Sequence, residues 1–371
     1  MRGEVHSVIG LGFGDEGKGV VVDWLCSKYD PDDTYVIRHS GGHQVGHTVK
    51  LGDITHVFHH FGSGTLRGVP TVWSDKCTVS PIHFRHERDV LVLKGVQNIR
   101  FLAFDRCPIT TVYDIAFDRV FNKQDSVGVG FAHTLKRSEL LQLQLSDLKY
   151  KTATAIKLNC IFQYYFKKAK ELDKVDLFIE NVTKLEGDKF SFEEDCEYLL
   201  DHCKLIGNSN YTPCGKIIFE GNQGVLLDRY HGFFPYVTYG RTTNYNLQDF
   251  IKDQWVSKWY VTRAYLTRHG AGPLPGERMG IKLINSEHET NHLNDYQGEF
   301  RVAPLDLHLL NYAMYCDHQD QKNNADVNIV MTCVDQIENS EEVIKSVKRS
   351  THRPLYINTS PESITIKGYE E

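Results

Sequence analysis

Residues 5–25 read VHSVIGLGFGDEGKGVVVDWL: a short apolar strand around Val8 and Ile9, a loop carrying Gly10, Gly12, Gly14, Gly17 and Gly19, then an apolar helix from Val20 to Tyr29. Strand, glycine loop and helix in that order suit a phosphate. Glycines let backbone N–H groups turn toward an anion, the helix N-terminus adds its dipole, and Lys18 adds a point charge. The spacing Gly12-x4-Gly17-Lys18 matches a P-loop through its lysine, but Gly19 stands where a Ser or Thr would reach Mg²⁺. Asp15 lies inside the loop, and a carboxylate facing a triphosphate is repulsive unless a cation or a chemical task accounts for it. An ordinary glycine turn before a helix is the alternative. Asp15, Glu16 and Lys18 set among the glycines favour the phosphate loop.

Outward from there, Thr34 to Arg38 is a strand running into SGGHQVGHTV, residues 40–49, a second polar, glycine-punctuated loop. Loops at the carboxyl ends of strands in an open α/β sheet collect at one edge, so His47 can face the first loop. There it serves as a general acid or charge stabiliser, or is simply a surface histidine. Residues 71–73 form a further strand, and His56, His59 and His60 lack a carboxylate or cysteine at metal-ligand spacing. Residues 88–106 read as helix, loop and strand. Residues 126–137 are glycine-rich and end in Lys136-Arg137, either a phosphate-side loop or a loop with a solvated basic end.

From Ser138 to Leu172 apolar residues recur at spacings of three and four, so residues 138–205 are expected to be a helical insertion without chemistry. Lys216 to Glu220 is a buried-type strand leading into GNQG at 221–224, and Thr238, Thr242 and Thr243 follow in a Pro/Gly-rich loop. Gln and Thr beside a strand end suit a purine base or a phosphate. Residues 255–267 alternate like one strand, GEFR at 298–301 precedes a helix, and VNIVM at 327–331 is the last clear strand. Asp335 just beyond it can accept from both N1–H and the 2-amino group of guanine, or can cap a helix. The expected fold is α/β and P-loop-like: a mostly parallel central sheet flanked by helices, with helical and loop insertions, in a single domain spanning 1–371.

The 371 residues are 41% hydrophobic and 24% charged with a net charge of -6, which is globular and gives no pull toward nucleic acid or anionic membrane. Nine scattered cysteines, none in a Cys-x-x-Cys pair, favour a reducing cytosol over a disulfide framework or zinc site. The N-terminus lacks a signal-peptide pattern and no apolar run spans a bilayer, so a cytoplasmic protein is expected.

Taken as a set, GDEGKG at 14–19, SGGHQVGHTV at 40–49, EGNQG at 220–224, HGFFPYVT at 231–238, TRHGAGPLP at 267–275 and TCVD at 332–335 resemble the adenylosuccinate synthetase family, in the family's order and over nearly the whole chain. The resemblance implies a GTP-dependent ligase that condenses IMP with L-aspartate, the γ-phosphate going to the base O6 before the amino group displaces it. By matching, Asp15 is the base that takes the N1 proton and, with the Gly46 carbonyl, a Mg²⁺ ligand. His47 stabilises the leaving phosphate and Lys18 holds the transferring group.

The GTP side is matched by Gly14, Glu16, Gly17, Gly19, Gly46, Thr48, Arg301, Thr332 and Asp335. The purine nucleotide is matched by Gln44, Ser126, Arg137, Gln223 and Thr238, with Arg137 reaching across a homodimer interface into the partner's site. Gln297, Gly298 and Glu299 fall in the aspartate loop. Three departures stand out: His43-Gln44 stand where the family usually has two asparagines, Cys333 replaces a lysine in the guanine reader, and Glu299 replaces an arginine facing a dicarboxylate. Alternatives are the related, often viral branch that acts on (d)GMP to make a 2-aminoadenine precursor, ATP or dATP in place of GTP, and a nucleotide-binding regulator without catalysis.

Overall fold

A computed structural model describes residues 4–121, 127–187, 189–207, 214–251, 254–284, 300–322 and 325–370. The opening strand is β1 (Val5–Gly10), buried at all six positions. It has a parallel neighbour on each edge and cover on both faces, the setting in which strands become continuously apolar. The helix that follows, α1 (Lys18–Cys26), begins at Lys18 instead of Val20 because Gly17 takes φ 85° and closes the loop sooner.

In chain order come β2 (Thr34–Arg38), the hairpin β3 (His47–Leu51) and β4 (Ile54–Phe58), β5 (Thr71–Trp73), α2 (Pro81–Leu93), β6 (Phe101–Phe104), α3 (Val112–Asp118) and α4 (Phe131–Ser138). The helices α5 (Lys151–Glu171), α6 (Val175–Glu186) and α7 (Phe192–His202) lead to β7 (Lys204–Ile206) and β8 (Lys216–Gly224). Then follow β9 (Val256–Arg263), β10 (Tyr265–His269), β11 (Phe300–Pro304), α8 (Leu307–Asp320), β12 (Ala325–Thr332), α9 (Ser340–Thr351), β13 (Leu355–Ile357) and β14 (Lys367–Gly368).

Ten strands form one sheet in the order β14-β13-β12-β9-β1-β8-β2-β5-β6-β7. Every pairing in it is parallel except β13 with β14. From β1 the chain runs outward through β2, β5, β6 and β7, returns to insert β8 between β1 and β2, then runs outward on the other side from β9, which places the glycine loop at a topological switch point, where open α/β sheets bind ligands. Helix α1 packs Val21, Val22 and Leu25 over Val8, Val36 and Ile218 of the sheet. A larger core joins Phe61, Trp73, Phe84 and Phe101 to Ile161, Phe178 and Leu199 of α5 to α7.

The alternation over residues 255–267 resolves into two strands. β9 belongs to the central sheet, Ala264 breaks the run by donating its N–H to the Thr332 carbonyl, and β10 departs to pair with β11. Residues 298–301 likewise lead into a strand, β11, before α8. Among the described residues no helix is long and apolar enough to cross a membrane.

Candidate active site

The glycine loop is built around Glu16. Its Oε1 accepts from the N–H groups of Gly12 and Gly14, both at 2.9 Å, and its Oε2 pairs with Lys18 Nζ at 2.7 Å. The pair is almost wholly buried. A Cβ at Gly10 would stand 2.0 Å from Glu16 Oε2, and one at Gly224 would stand 2.1 Å from the Gly12 carbonyl, so these glycines make the seat for the carboxylate. The Glu16 side chain therefore faces inward and holds the loop together, which leaves its backbone N–H as the group that could meet a phosphate.

Asp15 stands on the other side of the loop, at φ 60°. Arg263 Nε donates to its backbone carbonyl, and its Oδ2 lies 3.0 Å from His269 Nε2 at the end of β10. Burial works to raise this carboxyl, but His269 with Arg263 and Lys18 around it holds the pKa below the usual carboxylate value. Asp15 is therefore ionised at neutral pH.

His47, the first residue of β3, is fixed at both nitrogens. Nδ1 is 2.6 Å from Glu220 Oε1 on β8, and Nε2 is 2.9 Å from the Asn222 carbonyl. Ser63 also donates to Glu220 from its N–H and its hydroxyl. Burial raises the Glu220 carboxyl, yet His47, Arg38 and Ser63 together draw it down to about 2. Burial lowers the His47 pKa, and Glu220 opposes that only in part. The result is a histidine of fixed orientation backed by a permanent carboxylate.

These groups share one cavity of about 680 Å³. Its wall brings together Gly14, Asp15, Gly17, Lys18 and Gly19 of the first loop, Gln44, Gly46, His47 and Thr48 of the second, Gln223 and Thr238, and Thr332 and Asp335 beyond β12. Gln44 and Asn222 have both side-chain amide atoms buried without a hydrogen-bond partner among the described residues, as is Gln223 Oε1. Buried amides left open on a cavity wall are what a polar ligand satisfies. Thr332 donates its hydroxyl to the Glu16 carbonyl, tying the end of β12 to the glycine loop.

Two expected residues are elsewhere. Arg137, on α4, is fully buried: Nε and Nη2 pair with Asp114 at 3.2 and 2.8 Å, Nη2 also donates to the Ile109 carbonyl and Nη1 to that of Leu141. With that many internal partners the Arg137 guanidinium ties α4 to α3 within this chain and does not face the cavity. Arg301 is outside the cavity wall, bound to Glu277 at 3.1 Å and to the Gly272 carbonyl at 2.9 Å. Its neighbour across the hairpin, Arg268, does line the cavity, although it is spent on the carbonyls of Ala271, Pro273 and Tyr236. Ser126, Gln297, Gly298 and Glu299 lie outside the described residues. His56 and His60 gather around Glu87 at 3.6 Å, and among the described residues no group of three or more His, Cys, Asp or Glu is placed to hold a metal.

Sequence reasoning missed His269, Asn222 and the role of Glu220. All three lie within quoted motifs, yet only their distances to Asp15 and His47 reveal what they do.

Fold and site define a nucleotide-binding α/β enzyme whose glycine loop puts an ionised aspartate on the same cavity wall as a histidine backed by a buried glutamate. The chain matches a family model described as adenylosuccinate synthetase over residues 7–353. It is 30% identical over 336 residues to the curated adenylosuccinate synthetase of Thermoplasma volcanium, covering 85% of this chain and 73% of that one. The chain belongs to the adenylosuccinate synthetase family and is a carbon–nitrogen ligase. Among solved structures it resembles fully ligated adenylosuccinate synthetase from Plasmodium falciparum, at 17% identity and TM-score 0.71 over 99% of this chain and 100% of that one. It also resembles succinoaminodeoxyadenylate synthetase of cyanophage S-2L bound to dGMP and dATP, at 12% identity and TM-score 0.66 over 100% and 97%. At these identities the likeness is one of fold.

Proposed function

We propose that the protein condenses IMP with L-aspartate to adenylosuccinate, using GTP and Mg²⁺ and passing through a 6-phosphoryl nucleotide. The observation that carries this reading is the convergence of Asp15, Lys18 and His47 on one cavity with the unpartnered amides of Gln44, Asn222 and Gln223.

The donor chemistry fits magnesium: Asp15 offers an ionised carboxylate and Gly46 a backbone carbonyl on the same cavity wall, both hard oxygen ligands. Bound there with the triphosphate, Mg²⁺ would neutralise developing phosphate charge. Asp15 accepts the N1 proton of the base, which makes O6 a better nucleophile toward phosphorus. Lys18 and the N-terminus of α1 supply positive potential for the phosphoryl group. His47, its Nδ1 held by Glu220, donates from Nε2 to the phosphate that aspartate later displaces, exchanging the Asn222 carbonyl for it. Gln44, Gln223 and Thr238 orient the nucleotide, and Asp335 with Thr332 reads the guanine of GTP. We further propose a cytoplasmic homodimer, without a crossing Arg137; light scattering after size exclusion tests the assembly.

The assay is direct. The protein is incubated with IMP, GTP, Mg²⁺ and aspartate, with dGMP and ATP in parallel reactions, while phosphate release and base absorbance are followed. Turnover with IMP is expected, and Asp15→Asn should abolish it while nucleotide binding persists. Binding without turnover of either purine would overturn the ligase mechanism, and turnover of dGMP alone would reassign the substrate.

A further inference from the structure

We propose that His269 is a positioning residue that orients the Asp15 carboxylate for the divalent cation; this rests on the assignment of Asp15 as a metal ligand. Asp15 is held at both ends by the same stretch of chain. Arg263, at the end of β9, takes its backbone carbonyl, and His269, at the end of β10, takes its carboxylate at 3.0 Å.

Such clamping has a reason. A non-glycine residue at φ 60° is strained by roughly 1–3 kcal/mol and persists only where its surroundings impose it. The left-handed backbone directs the side chain, but χ rotation would still let an unheld carboxylate swing in an open cavity. The 3.0 Å contact of Nε2 with Oδ2 limits that freedom and leaves Oδ1 out of it, which suits a carboxylate that must present an oxygen to a metal.

The imidazole is placed for this contact. Its ring lies against Phe300 with centroids 5.2 Å apart, and its Nδ1 is buried without a partner among the described residues. The Asp15 bond is thus its polar anchor. Partners that hold a ligating carboxylate typically carry a 10–100-fold share of metal affinity. The sequence alone shows none of this, because Asp15 and His269 meet only after Ala264 breaks the strand and β10 turns toward the glycine loop.

The test uses Mn²⁺ in place of Mg²⁺, with binding to the full chain in the presence of GTP followed by electron paramagnetic resonance. His269→Leu should weaken Mn²⁺ binding about 10–100-fold. His269→Gln, which keeps an N–H donor at a similar reach, should restore it to within about threefold. Steady-state assays of His269→Leu should show a raised metal requirement with kcat recovered at saturating Mg²⁺. The proposal is overturned if the leucine variant binds Mn²⁺ within about twofold of the parent, or if glutamine and leucine are equally impaired. Asp15→Asn separates the two layers: undiminished Mn²⁺ binding there would remove the metal assignment itself, whereas its loss beside an unaffected His269→Leu would remove only the role of His269.

Discussion

Glu16 shows at the scale of one residue how a motif position can carry a side-chain role that the motif does not reveal. Its carboxylate takes two loop amides and the Lys18 ammonium, the kind of donors a phosphate also seeks, so it serves as the loop's internal anion. Removing one member of a buried ion pair leaves the other uncompensated, at a cost of about 3–5 kcal/mol. Glu16→Ala should therefore lower stability in urea denaturation by roughly 3 kcal/mol. A loss below about 1 kcal/mol would mean that water already serves Lys18 in the parent. In the sequence only Gly10 and Gly12 stand near Glu16; that Gly224 completes the seat of its carboxylate is settled by the fold.

At the scale of elements, α4 is anchored to α3 by Arg137 and Asp114. Asp114 also completes the capping box of α3 with Thr111 and accepts from the Tyr165 hydroxyl of α5. One carboxylate thus joins three helices, and burial of the phenol beside it pushes the Tyr165 pKa far up. Arg137→Met should destabilise the protein by about 3–5 kcal/mol, since it strands that carboxylate. In whatever fraction folds, the KM for IMP should stay unchanged; a large rise in KM with unaltered stability would restore the phosphate role. Nothing in the local sequence distinguishes this arginine from a solvated basic loop end. The distinction depends on Asp114, twenty-three residues earlier, and on a helix packing that periodicity does not specify.

Across the whole molecule, burial of histidines sets the response to acid. Burial draws His6 down to about 4, and His39 and His83 to about 3. The unfolded chain binds protons at these sites near pH 6.5 while the folded chain stays neutral, so the stability they contribute is present above pH 6.5 and is lost progressively as pH falls toward their folded values. At pH 5 each costs about 2 kcal/mol, and together they approach the whole stability of an ordinary domain. Urea midpoints at pH 7.5, 6 and 5 should fall steadily below 6.5; a midpoint level down to pH 5 would contradict the buried neutral state.

Much of the architecture was legible beforehand, because period and punctuation are local properties. The glycine loop between an apolar strand and an apolar helix, the strands β2, β8 and β12, and the positions of Asp15, Lys18 and His47 all follow from residues within a few places of one another. By itself the sequence determined a parallel α/β sheet with a phosphate loop at its centre. Tertiary structure alone decided that Glu16 and Arg137 turn inward, that Glu220 backs His47, and that His269 meets Asp15. Each of those outcomes is a pairing of charges, and whether a charge is buried with a partner or left to solvent is settled by what the fold brings beside it.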